Sequence, residues 1–257
     1  MKETALITGA SGGLGREFAK LFAENGYNLV ITGRREDKLK SLAGVLKPYD
    51  ISCDIIVKDL SDPKAPKELF DELKQKNIHI DVLVNNAGFG VSGSFAEADI
   101  EKQLAMIQTN IASLTHLTKL AIDEMNKKGK GKILNIGSTG SFAPCPSIAV
   151  YCATKAYVLS FSEAIAYELE GTGITVTALC PGPTETGFAE AAGVVNAKSF
   201  KSGVMKAADA AKVGYEALMK KQPMVVAGLQ NKLLTQSIRF SPRGLVTRIS
   251  AFIMNPN

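Results

Sequence analysis

The chain has 257 residues, 46% hydrophobic and 21% charged, with 30 Lys and Arg against 25 Asp and Glu for a formal net charge of +5. This length and composition fit a folded domain with a sizeable core and exclude intrinsic disorder, and no apolar run reaches the length of a membrane span. The last acidic residue is Glu216, so the basic excess sits on the C-terminal stretch; aromatics are not interleaved with it as nucleic-acid stacking requires, and no nucleic-acid partner is expected.

MKETALITGA enters a strand-like run at once, which leaves no room for a signal peptide and makes a cytoplasmic location the expectation. TALIT (4–8) is that run, and Phe18, Ala19, Leu21 and Phe22 follow at helical spacing. NLVIT (28–32) is a second strand, 36–46 a polar helix, and CDIIV (53–57) a third strand. A helix over 61–76 opens with Pro63 and Pro66, which a first turn tolerates. DVLVN (81–85) precedes a long helix over about 99–126, and KILNI (132–136) precedes a helix over 150–170. TVTAL (175–179) and MVVAG (224–228) bring the strands to seven.

Continuous Val, Ile and Leu runs indicate strands buried on both faces, and the helices between them supply the long crossovers of parallel pairing. The expected fold is a single α/β domain over 1–257, Rossmann-type and doubly wound, with a mostly parallel seven-stranded sheet. Residues 181–208 break the rhythm, without a clear strand, after the C-terminal end of a strand where such sheets bind ligands. A substrate loop is expected over about 183–207. In a C-terminal extension over about 229–257, Leu245, Val246, Ile249, Phe252 and Ile253 share a helical face flanked by Arg243 and Arg248. Packing on the domain or a second subunit, covering the substrate, and lying on a membrane surface all fit that face.

TGASGGLG (8–15) leaves the first strand and opens the first helix. Gly9, Gly13 and Gly15 permit a tight turn and close backbone approach, and with Ser11 and Leu14 they lead into a helix N-terminus whose free N–H groups suit a phosphate. At the end of the second strand Gly33 stands where an NAD-binding fold carries an acid, and Arg34 and Arg35 follow. A guanidinium suits a 2′-phosphate, so NADP(H) is preferred over NAD(H), which stays open as the alternative. Arg34 is the leading candidate, with Ser11, Arg16 and Arg35 assisting; the other reading of the arginines is a solvated helix start. Asp59 and Leu60 follow the third strand, where Asp59 can accept from an adenine amino group or simply form a turn. In NNAG, Asn85 and Asn86 can pin backbone while Ala87 and Gly88 let a cofactor pass.

YCATK (151–155) puts Tyr151 and Lys155 on one helical face. A phenol beside an ammonium is a general acid with a charge that favours its phenolate. Cys53, Cys145, Cys152 and Cys180 form no CxxC pair and only two histidines exist, so no metal site or disulfide framework is expected. Cys145 and Cys152 read as filler.

Together TGASGGLG, Asp59, NNAG, Asn110, Ser138, YCATK and PGPTET resemble the short-chain dehydrogenase/reductase family in order and spacing, over about residues 3 to 230. The sequence looks most like its NADPH-dependent ketoreductases, including hydroxysteroid dehydrogenase-like and 3-oxoacyl reductase-like members. The resemblance implies Tyr151 as general acid/base, Lys155 as holder of the nicotinamide ribose, Ser138 as the hydroxyl that orients the carbonyl, and Asn110 as holder of a relay water. It implies Pro181 and Gly182 as the turn beside the nicotinamide and Thr184 as partner of its carboxamide. Gly12 departs from the pattern, since many such reductases carry a basic residue there. The implied reaction moves hydride between NADP(H) and a small-molecule ketone, aldehyde or secondary alcohol, and the implied assembly is a homodimer or homotetramer. Phe89, Phe142, Phe188 and Met205 are candidates for an apolar substrate wall. A binding or scaffold protein that senses a dinucleotide is the competing class; it needs no proton donor.

Overall fold

The computed structural model describes residues 2–198 and 203–254. Its central sheet has seven strands, all parallel, in the order β3-β2-β1-β4-β5-β6-β9. These are β1 Thr4–Thr8, β2 Asn28–Gly33, β3 Cys53–Val57, β4 Val82–Asn85, β5 Gly131–Ile136, β6 Ile174–Cys180 and β9 Met224–Val226. The order reverses between β1 and β4, which opens the crevice where doubly wound sheets hold ligands.

Alternation along each strand separates two apolar layers. Ala5 and Ile7 of β1 and Val82 and Val84 of β4 pack on one side with Phe18 and Phe22 of α1 (Gly13–Glu24), Leu39 and Leu42 of α2 (Glu36–Leu46) and Leu218 of α8 (Ala207–Met219). Leu6 and Leu83 face the other way, onto Leu69 of α3 (Ala65–Gln75) and Leu117, Ala121 and Met125 of α5 (Leu114–Lys128). Phe18 and Phe22 are fully buried, each adding about 1.5–3 kcal/mol by leaving water.

The long helix expected over 99–126 is interrupted. α4 (Ile100–Ile107) runs into a π-helical turn, Gln108–Ser113, before α5 begins. Such turns accommodate an inserted residue at a functional position, and this one contains Asn110. β5 leads into a 3₁₀ turn, Thr139–Ser141, and then α6, Ala149–Glu168.

The stretch read as lacking strands holds two short ones, β7 (Thr184–Glu185) and β8 (Met205–Lys206), paired in parallel around α7 (Phe188–Ala192). Two-residue strands leave no periodicity to detect. α9 (Leu229–Ile238) and α10 (Arg243–Met254) close the chain. The apolar face expected on α10 divides: Val246 is buried and Ile253 half-buried, while Leu245 and Phe252 are exposed. Among the described residues, no helix is long and apolar enough to cross a membrane.

Candidate active site

One cavity of about 840 Å³ runs along the C-terminal ends of the strands. Gly9, Ser11, Gly13, Leu14, Arg34, Arg35, Asp59, Leu60, Asn86, Ala87 and Gly88 line one end. Ser138, Tyr151, Lys155, Pro181, Gly182 and Thr184 line its middle. Gly15 and Asn110 lie behind the wall, and Arg16 is exposed outside it.

The glycines are needed where they stand. A Cβ on Gly9 would lie 2.8 Å from Ala87 Cα, and one on Gly15 would lie 2.4 Å from Gly9 O. Gly13 has φ +54° and passes under Thr186, a wall residue for which the sequence offered only its place in PGPTET. Gly12 caps α1 with no side-chain hydrogen bond to the first turn, so the helix N-terminus presents its N–H groups to the cavity, a seat for phosphate. Asn86 holds this loop: its Nδ2 donates to Thr8 O at 2.9 Å and to Gly9 O at 3.2 Å. Asn85 instead turns into the core, donating to Thr118 Oγ1 and Asn135 Oδ1.

The arginines exchange the ranks expected of them. Arg35 brings Nη2 to 3.5 Å from both Ser11 O and Ser11 Oγ, beside Gly12. Arg34 turns toward Asp59, with Nη1 3.9 Å from Oδ2. The other carboxylate oxygen of Asp59 accepts from Ser61 N and Ser61 Oγ, so Asp59 forms the turn and still borders the cavity. A Cβ at position 12 would meet Arg35 Nη2 at 3.4 Å, an ordinary contact with a flexible side-chain end, so space does not require glycine there.

Tyr151 and Lys155 share one face of α6, with Lys155 Nζ 5.8 Å from the phenol ring centre. Lys155 Nζ donates to Ile136 O at 2.8 Å. Ser138 Oγ accepts from Gly140 N at 3.0 Å and lies within hydrogen-bonding reach of the Tyr151 phenol. Burial raises Tyr151 above the ordinary tyrosine range, opposed by the Ser138 hydrogen bond. Burial also lowers Lys155, from 10.5 to about 8. Desolvation is the largest influence on both groups, opposing the phenolate on Tyr151 and the ammonium on Lys155.

Asn110 sits in the π-helical turn with its side chain fully engaged. Oδ1 accepts from Phe89 N at 3.2 Å, and Nδ2 donates to Phe89 O and Thr154 Oγ1, both at 3.0 Å. It thus clamps the segment after NNAG to α6, a role that spacing alone did not reveal. Phe89 and Phe188 line the cavity, and the Phe188 ring lies 5.1 Å from that of Tyr151. Phe142 and Met205 pack elsewhere, against Leu159 and its neighbours and against the α1 layer respectively. Cys145 and Cys152 both border the cavity. Val246, Ile249, Ser250, Ile253 and Met254 make α10 part of the wall, and Met254 also packs on the cluster of Ala192, Val194 and Ala197. His79 and His116 are exposed and outside it.

Residues 3–194 match the family model for short chain dehydrogenases. Sulfoacetaldehyde reductase 2 of Chromohalobacter salexigens is 38% identical over 190 residues, 73% of this chain and 75% of that one. The NADP-dependent 3-hydroxy acid dehydrogenase YdfG of Salmonella typhi is 36% identical over 178 residues, 69% of this chain and 71% of that one. A short-chain dehydrogenase from Sphingobium yanoikuyae, solved in complex with NADPH, superposes with a TM-score of 0.84 at 30% identity, covering 95% of this chain and 94% of that one. With the glycine loop, the crevice and the Ser138–Tyr151–Lys155 grouping in the corresponding fold, this chain belongs to the short-chain dehydrogenase family of oxidoreductases.

Proposed function

We propose that the protein is an NADP(H)-dependent oxidoreductase that reduces a ketone to a secondary alcohol, with Tyr151 as its proton donor. The observation that carries this reading is the Tyr151 phenol in the cavity wall with Ser138 and Lys155 beside it. Bound NADPH supplies the hydride. As negative charge develops on the carbonyl oxygen, Tyr151 gives its proton and Ser138 donates a hydrogen bond. Lys155 holds the ribose side of the site and offsets charge left on the phenolate. Asn110 positions Phe89 and the start of α6 around the reacting groups. In the reverse direction Tyr151 takes the proton back.

The residues suit the cofactor. The N-terminus of α1 with Gly9, Gly13, Leu14 and Gly15 would take the pyrophosphate, and Ser11 and Arg35, with Arg34 nearby, the 2′-phosphate. Asp59 and Leu60 would border the adenine. Asn86, Ala87 and Gly88 would flank the path between the two ends, and Pro181, Gly182 and Thr184 would border the nicotinamide. Oxidation of an alcohol with NAD is the second reading, disfavoured by Gly33 and by Arg35 beside Ser11. The 183–207 stretch is the substrate loop and 229–257 the C-terminal extension of one domain, with 199–202 and 255–257 outside the described residues. The four cysteines are free, in keeping with a cytoplasmic enzyme. Exposed Ile100, Leu104 and Ile107 on α4 fit a homodimer or homotetramer.

The test is oxidation of NADPH and NADH by purified protein across ketones and aldehydes, with Tyr151→Phe alongside. Turnover preferring NADPH and lost in Tyr151→Phe is expected. Turnover that survives in Tyr151→Phe would sink the assignment, and cofactor binding without any turnover would favour the sensor class.

A further inference from the structure

The far side of the cavity is built by the last helices. Leu234 and Ile238 of α9 and Val246, Ile249 and Ile253 of α10 supply its apolar surface together with Val194. The charged side chains lining the cavity lie elsewhere. Arg34, Arg35, Lys58 and Asp59 are at the ends of β2 and β3, and Lys155 lies on α6 beside Tyr151. Among the described residues, no charged side chain lines the α9–α10 wall.

The polar groups on this wall are all neutral: Gln230 and Asn231 on α9, Ser237 and Ser241 at its end, and Ser250 on α10. Ser237 Oγ donates to Leu234 O at 2.8 Å, and Ser241 Oγ donates to Ser237 O at 2.9 Å. With their protons bound to helix carbonyls, both serines turn lone pairs outward. An anion meeting this wall finds, among the described residues, no cation to offset its loss of water. A neutral molecule loses little there, and a hydroxyl on it gains an acceptor.

We infer that the substrate is a large, uncharged ketone that packs its apolar body against α9 and α10, and that these helices select it over small anionic carbonyls. The inference rests on the reductase reading above. It concerns a part of the chain beyond the family match, which ends at Val194.

The test compares kcat/KM with NADPH for decalone, a neutral bicyclic ketone, against sulfoacetaldehyde and acetoacetate, which carry a sulfonate and a carboxylate. Propanal serves as a small neutral control. Calorimetric titration with decalol, the alcohol product, reads binding without turnover. Decalone should exceed both anions by about a hundredfold, the scale on which shaped pockets discriminate, and decalol should bind. Ile253→Lys, at the end of α10, should lower decalone turnover at least as much as propanal turnover and narrow its lead over the anions. Leu234→Ala, which only removes apolar surface, should raise KM for decalone more than for propanal. Anions turned over as well as decalone, or variants that leave the ranking unchanged while thermal unfolding shows them folded, would overturn the inference alone. Decalol binding without turnover of any carbonyl would overturn the reductase reading and leave the wall's selectivity standing.

Discussion

Lys155 Nζ, in the middle of α6, donates across 2.8 Å to the carbonyl oxygen of Ile136, the last residue of β5. The bond ties the proton-donor helix to the strand that presents Ser138. It also takes an ammonium out of water, and burial lowers Lys155 from 10.5 to about 8. Below pH 8 both folded and unfolded chains hold this proton, and the burial penalty is felt in full. Between pH 8 and 10.5 the unfolded chain holds more of it than the folded chain, so stability rises with pH across that window. The unfolding free energy of the wild type minus that of Lys155→Met should rise by about 3 kcal/mol from near neutrality to the top of the window. Urea denaturation at several pH values measures this, and a flat difference would contradict it.

Asn110 makes three hydrogen bonds while nearly inaccessible to solvent. Asn110→Ala strands the Phe89 backbone groups, at about 1–3 kcal/mol for each buried group left unpaired. A loss of about 2–3 kcal/mol in stability is expected together with reduced kcat. Denaturation and steady-state kinetics separate the possibilities: lost kcat at wild-type stability would place Asn110 at the reacting atoms instead of behind them.

Arg35 and Arg34 should differ in their effect on cofactor choice. Arg35→Ala removes the guanidinium beside Ser11 and should raise KM for NADPH by about tenfold to a hundredfold, the worth of a charge-assisted hydrogen bond. KM for NADH should change little. Arg34→Ala, with its guanidinium drawn toward Asp59, should have the smaller effect. Equal effects, or a larger one at Arg34, would restore the order expected from sequence.

Gly15→Ala places a methyl 2.4 Å from Gly9 O and 2.5 Å from Asn86 Nδ2. α1 must move off the phosphate loop, at a cost of about 1–3 kcal/mol, and NADPH affinity should fall with it. Gly44→Ala in α2 is the control, since a Cβ there meets nothing within 4 Å. It should stabilise by about 0.5–1 kcal/mol. Titration calorimetry and thermal unfolding of both variants check the contrast.

The seven strands were readable because each is a short apolar run between turn residues, and the inner ones are buried on both faces while the edge strands β3 and β9 are only half-buried. α2 falls on its expected residues because its polar and apolar positions follow the helical period closely. The π-helical turn was not readable, since Gln108–Ser113 has ordinary helical composition and its widened turn is tied to bonds from Asn110 to residues far along the chain. The short β7–β8 pair was missed for a related reason: its strands are too brief to show a period, and they are held by pairing over some twenty residues.

Within the site, residue identity and tertiary position made separate contributions. The sequence by itself determined the glycine loop, the Tyr151–Lys155 face and the presence of two arginines after β2, because these depend on local backbone freedom and helical spacing. Only the tertiary structure decided that Arg35 rather than Arg34 stands beside Ser11, that Asn110 bonds Phe89 and Thr154, and that Tyr151 lies against Phe188 in the cavity wall. It also divided the apolar face of α10 between cavity and solvent. Each of these depends on which groups exclude water from which others, and that is settled by elements distant in sequence packing together.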